Sequence, residues 1–193
     1  MTDQDKLLLV RFITRMGMYI PERNKSNIIS FVYGYEIGRN GECSFTKLLI
    51  EHMENKYSIP HSSVSWIGQI HFYAEKKKSS WESTFRQISL EIIGSEENGG
   101  LNQEMQDTIK TWIHSLIGRI EAQGNPWFNQ WWVDEWKTVV MTKKNWFKNM
   151  WTPQEFKIIQ AITKEVSNNN VFMIVPKEPL LSLSEKFRHL EKQ

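Results

Sequence analysis

The sequence predicts a mainly α fold: a multi-helix domain with a small two-stranded β-ribbon in its C-terminal half. Three observations lead there. Apolar residues recur at helical spacing through most of the 193 residues. Capping residues stand just ahead of those periodic segments. Two β-prone runs, Thr138-Val139-Val140-Met141 and Val171-Phe172-Met173-Ile174-Val175, break the pattern late in the chain.

Taken in order, Thr2 with Asp5 forms a capping box ahead of Leu7-Leu8-Leu9-Val10, Phe12 and Ile13. Pro21 closes that segment. Ser26 is the expected cap of a second helix, with Ile28, Phe31, Val32 and Tyr35 on one face and Gly38 to Gly41 at its end. Ser44 opens a third, whose stripe is Phe45, Leu48, Leu49, His52 and Met53. A fourth is expected over 63–77 with Trp66, Ile67, Ile70 and Ala74 inward. A fifth begins near Ser80 and carries Trp81, Phe85, Ile88 and Ile92. The stretch 94–100 is polar, glycine-rich and without periodicity, and reads as a linker. It divides the chain into an N-terminal lobe, 1–94, and a C-terminal lobe, 101–193, with one continuous domain as the alternative.

The longest helix follows, over about 101–121, with Met105, Ile109, Trp112, Ile113, Leu116, Ile117 and Ile120 on its stripe. Asn125-Pro126 reads as an N-cap followed by proline at the first helical position. Thr152-Pro153-Gln154-Glu155 repeats that logic with a full capping box, ahead of Phe156, Ile159, Ile162 and Val166. The two β-prone runs flank this helix. A lone ribbon is marginal, so it must pack on helices. Ser184 is the expected cap of a short terminal helix ending near Glu191.

Composition bounds the function. A chain of this length buries roughly 70% of its unfolded surface and needs no disulfide or metal to fold. The single cysteine, Cys43, has no partner in the chain, which suits a reducing cytoplasm. The N-terminus starts polar and acidic, unlike a signal peptide, and no apolar run approaches the ~20 residues of a membrane span. A cytoplasmic protein without membrane contact is expected.

Net charge is +2, with 12 basic and 12 acidic side chains in residues 1–97 and 12 against 10 in 98–193. Nucleic-acid binders are usually far more basic.

Catalytic patterns are sparse in the chain. The histidines 52, 61, 71, 114 and 189 are scattered. Glu51-His52-Met53-Glu54 lacks the second histidine of a zinc-protease motif, and Gly99-Gly100 lacks the strand, lysine and hydroxyl of a phosphate loop. No catalytic residue, metal site or cofactor is expected, although catalytic groups can converge from distant positions.

One pair of segments carries a resemblance. Arg15-Met16-Gly17-Met18-Tyr19-Ile20, followed by Phe31-Val32-Tyr33-Gly34-Tyr35-Glu36, resembles the opening of small bacterial immunity proteins of toxin–immunity systems, including contact-dependent inhibition. The resemblance covers residues 1–93. It implies a non-catalytic module that binds a cognate toxin domain and blocks it. Within the motif the residues also read as scaffold. Gly34 would let another helix approach, Tyr35 would bury its ring with a hydrogen-bonded tip, and Glu36 would take Arg15 or a backbone amide.

Two surfaces compete for the partner. Five of nine tryptophans fall in 127–146, and helical geometry spreads them over a broad arc. Trp127, Trp131, Trp132, Asp134, Glu135 and Trp136 therefore form the expected partner-binding edge, with aromatic anchors beside acidic groups. Burial between two lobes is the alternative. The second surface is the basic–aromatic segment 137–157, with Lys143, Lys144, Trp146 and Lys148, which would stack bases and hold phosphates or else dock its rings on the core. An immunity protein facing a basic nuclease is often acidic, because charge complementarity speeds encounter. This chain is slightly basic, which favours an aromatic contact or a toxin that is not basic.

Overall fold

The computed structural model describes residues 1–60, 65–120, 126–140, 145–168 and 178–191. Ten α-helices occupy most of them: α1 Asp3–Thr14, α2 Lys25–Gly38, α3 Phe45–Tyr57, α4 Trp66–Lys77, α5 Trp81–Ile93, α6 Gln103–Gly118, α7 Pro126–Val140, α8 Asn145–Asn149, α9 Pro153–Asn168 and α10 Glu178–Glu191. The chain divides into two compact units, Met1–Thr108 and Ile109–Gln193.

The first unit is built around α5. This helix packs against α1, α3 and α4, and Phe85, Ile88, Leu90, Ile92 and Ile93 are all buried. A stripe of Trp81, Phe85, Ile88 and Ile92 understates it: α5 is enclosed on nearly every side, and Trp81 is only half-buried. Around it stand Leu9, Val10, Phe12 and Ile13 of α1, Phe45, Leu49 and Met53 of α3, and Trp66, Ile70 and Ala74 of α4. Helix α2 lays Ile28 and Val32 into the core, and its Phe31 ring stacks on Phe12 at 3.8 Å between centroids. Phe31, Tyr35 and Leu48, expected in the core, are half-buried.

Local signals set the helix ends. Thr2 and Asp5 form the capping box, with Thr2 N–H donating to Asp5 Oδ2 at 2.8 Å and Asp5 N–H to Thr2 Oγ1 at 3.2 Å. Asn24, and not Ser26, caps α2: its Oδ1 accepts from Asn27 N–H at 2.9 Å. Ser80 caps α5 through Ser83 N–H. The polar stretch after α5 forms a single 3-10 turn, Glu96–Asn98. Asn98 Nδ2 donates to Ile92 O there, and Lys6 Nζ donates to Asn98 O at 2.8 Å.

In the second unit, α9 packs against α7 and α10. Ile113, Leu116 and Ile117 of α6, Ile159 and Ile162 of α9, and Leu180 and Phe187 of α10 are buried. Thr152 and Glu155 make the expected capping box of α9, at 2.8 and 3.3 Å. Ser184 does not cap a helix. It lies within α10, is buried, and donates to Ile117 O at 3.1 Å.

The two-stranded β-ribbon is a correction. Among the described residues there is no strand, and Thr138–Val140, the expected first strand, is the last turn of α7. Thr138 Oγ1 donates back to Asp134 O at 2.7 Å, so the hydroxyl is satisfied inside a helix that is already propagating. Strand propensity of Thr and Val is a weak preference set by packing, and a continuing helix overrides it. Met141 and the second run, 171–175, lie outside the described residues.

Candidate interaction surface

The expected partner-binding edge lies on α7, and burial sorts its residues sharply. Trp132 and Trp136, one turn apart, are both fully buried, with their rings stacked at 5.3 Å and 15°. Each indole N–H is satisfied: Trp132 Nε1 donates to Leu116 O at 2.7 Å and Trp136 Nε1 to Thr163 Oγ1 at 3.3 Å. Large amphipathic rings bury well only when that N–H finds an acceptor. Glu135 is buried beside them.

What remains at the surface is Trp131 and Asp134. Trp131 is half-buried, and the Arg119 guanidinium lies over its ring at 5.6 Å. Asp134 is exposed, and Gln130 Nε2 donates to its Oδ1 at 2.8 Å. Position 127 falls within α7, but the Trp127 side chain lies outside the described residues. The open edge is therefore one aromatic face with a cation over it and a carboxylate one turn away.

The basic–aromatic segment is sorted in the same way. Phe147 and Trp151 are buried, so neither ring is a free stacking platform. Lys110 Nζ lies 5.8 Å from the Trp151 ring. Lys137, Lys148 and Lys157 are exposed. Lys143, Lys144 and the Trp146 side chain lie outside the described residues.

The first unit holds two buried carboxylates that the periodicity did not single out. Asp5 Oδ1 accepts from Tyr35 OH at 2.6 Å and from Arg39 Nε at 2.9 Å, while Oδ2 accepts from Thr2. Burial alone would raise its pKa. The hydrogen bonds from Thr2 and Tyr35 and the Arg39 charge outweigh that and hold the carboxyl at about 2. Glu91 of α5 accepts at Oε2 from Lys56 Nζ and Tyr57 OH, both at 2.6 Å, and His52 Nε2 lies 3.2 Å away. Burial again opposes ionisation, and His52, Lys56 and Tyr57 overcome it, holding Glu91 at about 2. Burial, then the carboxylate contact, pushes both Tyr35 and Tyr57 upward, and burial raises the Cys43 thiol.

The motif Phe31–Glu36 divides across α2. Tyr35 reaches Asp5, and Glu36 accepts from the Thr46 amide at 2.7 Å and its hydroxyl at 2.8 Å. Tyr33 OH accepts from Trp66 Nε1 at 3.0 Å, yet Tyr33 is 39% exposed and Ile37 75%. Among the described residues Gly34 serves no close helix crossing, and nothing lies within 4 Å of where its Cβ would stand.

Among the described residues no group of His, Cys, Asp and Glu is arranged to hold a metal ion, and no helix is long and apolar enough to cross a membrane. No family model, no curated protein and no solved structure matches the chain.

Proposed function

We propose that this protein is a non-catalytic binding module of the immunity type, acting in the cytoplasm by binding a cognate bacterial toxin domain. The observation that carries the reading is the state of the buried ionisable groups. An acid or base catalyst works with a pKa near the operating pH. Asp5 and Glu91 are held at about 2 by donors that also fix their positions, while the Cys43 thiol is raised, away from a reactive thiolate. These groups fasten helices together. The resemblance of the Arg15–Ile20 and Phe31–Glu36 segments to immunity proteins supplies the partner class.

The α7 edge supports the recognition surface. Trp131 offers an aromatic face that a partner can cover, and Asp134 beside it can orient a basic group. The test is Trp131→Ala, measured for protection in cells co-expressing a candidate toxin domain and, separately, for thermal stability. Protection lost by at least about tenfold at unchanged stability supports the site, since anchors of this kind carry ≥ ~2 kcal/mol. Full protection by the variant refutes it. Titration of the partner across salt separates this reading from nucleic-acid binding by 137–157, whose affinity would fall with a slope of about −0.9 per phosphate neutralised.

A further inference from the structure

We propose that Asn40 is a self-modification site: the backbone nitrogen of Gly41 converts its side-chain amide to a carboxylate, and the new charge competes for Arg39 at the end of α2. The sequence holds two Asn-Gly pairs, Asn40-Gly41 and Asn98-Gly99. Both offer the same chemistry, and folding treats them oppositely.

In such a pair the backbone nitrogen of the glycine, once deprotonated, attacks Cγ of the asparagine. The N–Cγ bond forms, the Cγ–Nδ2 bond breaks, and ammonia leaves. The cyclic imide then adds one water. Opening at one carbonyl gives aspartate; opening at the other gives isoaspartate, with one extra methylene in the main chain. Solvent water is the sole co-reactant. The step is favoured where glycine leaves the backbone unshielded, where its N–H holds no acceptor, and where the asparagine amide is free to turn.

Asn98-Gly99 fails the last two conditions. Asn98 Nδ2 donates to Ile92 O and to Ser95 Oγ, both at 2.9 Å, and Gly99 N–H donates to Glu96 O at 2.9 Å. Asn40-Gly41 meets all three. Both residues are exposed. Among the described residues the Asn40 side chain makes no hydrogen bond and Gly41 N–H has no acceptor, although the amides on either side, Asn40 and Glu42, donate to Ile37 O and Arg39 O. Nothing lies within 4 Å of where a Gly41 Cβ would stand. The turn that ends α2 accounts for the asparagine itself. Its φ is 49°, a left-handed conformation that asparagine tolerates better than most residues.

Arg39 links the modification to the fold. Its Nε donates to the buried Asp5 Oδ1 at 2.9 Å, and its Nη2 pairs with Glu42 Oε2 at 2.9 Å. This guanidinium already serves two carboxylates. A third, next to it in sequence, competes for the same cation and stands at the negative end of α2, where anions are unfavourable. The tie from α2 to Asp5 of α1 weakens as a result. The chain thereby carries an ageing reaction that needs no enzyme and no partner.

The experiment incubates the full chain in neutral buffer, folded and in parallel in urea, and follows the peptides holding Asn40 and Asn98 by mass spectrometry. In the folded chain Asn40 should convert at least about tenfold faster than Asn98, because three hydrogen bonds must open before Asn98 reacts. In urea the two rates should converge. The Asn40 product should separate into aspartyl and isoaspartyl forms. Asn40→Asp should melt below the original chain by on the order of 2 °C, and added salt should shrink that gap. Asn40 that stays intact in the folded chain while it converts in urea overturns the proposal. So does folded-state conversion of Asn98 at the rate of Asn40, or an Asn40→Asp variant that melts no lower than the original.

Discussion

Helices α2 and α7 are of similar length, and each carries the densest local signature of its unit, yet the protein uses them in opposite ways. On α7 the aromatic surplus goes inward. Trp132 and Trp136 stack inside the second unit, with both N–H groups satisfied, while Trp131 is half-buried and Asp134 exposed. On α2 the polar tips of the motif, Tyr33, Tyr35 and Glu36, turn to the chain, while Ile37 stays in water. The difference teaches that exposure follows satisfied hydrogen bonds and available neighbours more than residue type. An indole with an acceptor on an adjoining helix is buried; the apolar side chain of Ile37 is 75% exposed.

The largest effect expected from breaking this contrast lies on α7. Trp132→Ala should destabilise the protein by roughly 3–5 kcal/mol, because a fully buried ring leaves a cavity and the Leu116 carbonyl loses the indole donor. Trp131→Ala should change stability by less than ~1 kcal/mol. Urea denaturation of the two variants compares them directly, and equal losses would erase the distinction between buried and open tryptophans.

Next come the polar tethers of the first unit. Glu91→Ala should cost about 2–4 kcal/mol, since it leaves Lys56, Tyr57 and His52 facing a site built around a carboxylate. Glu91→Gln should lose less, as the amide oxygen still accepts. A loss below ~1 kcal/mol for the alanine variant would remove this cluster from the account of stability.

The same tethers set an acid limit. Both carboxyls sit lower in the folded protein, at about 2, than their ordinary values of 3.8 for Asp5 and 4.5 for Glu91. Their stabilisation is thus complete above the ordinary values. It is lost as pH falls through the folded ones. Each contributes on the order of 2–3 kcal/mol at neutral pH. Thermal melts from pH 6 to pH 2 should show stability dropping below about pH 4.5. Asp5→Asn should flatten part of that slope.

The smallest effect is on α2. Gly34→Ala should stabilise the protein by about 0.5–1 kcal/mol, since alanine is the better helix former and its methyl meets nothing within 4 Å among the described residues. A destabilised variant would mean that a close neighbour exists at that face.

The sequence by itself determined the helical character and many of the helix starts. Capping and apolar spacing act over three or four residues, so Thr2 with Asp5, Ser80, and Thr152 with Glu155 can be read without knowing what lies across the core. The same local reading misjudged Thr138–Val140. There the β-propensity of the residues met a helix already under way, and the Thr138 hydroxyl found Asp134 O behind it. It also misjudged Ser184, which is a buried donor within α10 and not a cap.

Tertiary structure alone decided which polar groups are inside. Glu91 stands among Leu90, Ile92 and Ile93, so its immediate neighbours hint at burial. Its three partners, however, lie 34 to 39 residues away on the last two turns of α3. Asp5 meets Tyr35 and Arg39 across a comparable distance along the chain. Trp131 and Trp132 differ by one position and 100° of helix, and only the placement of Leu116 and Thr163 on α6 and α9 explains why Trp132 and Trp136 go inward while Trp131 stays at the edge. Periodicity states which residues share a face; it holds no information about what that face will meet. Whether a side chain is core or surface therefore rests on partners distant in sequence, brought near by folding.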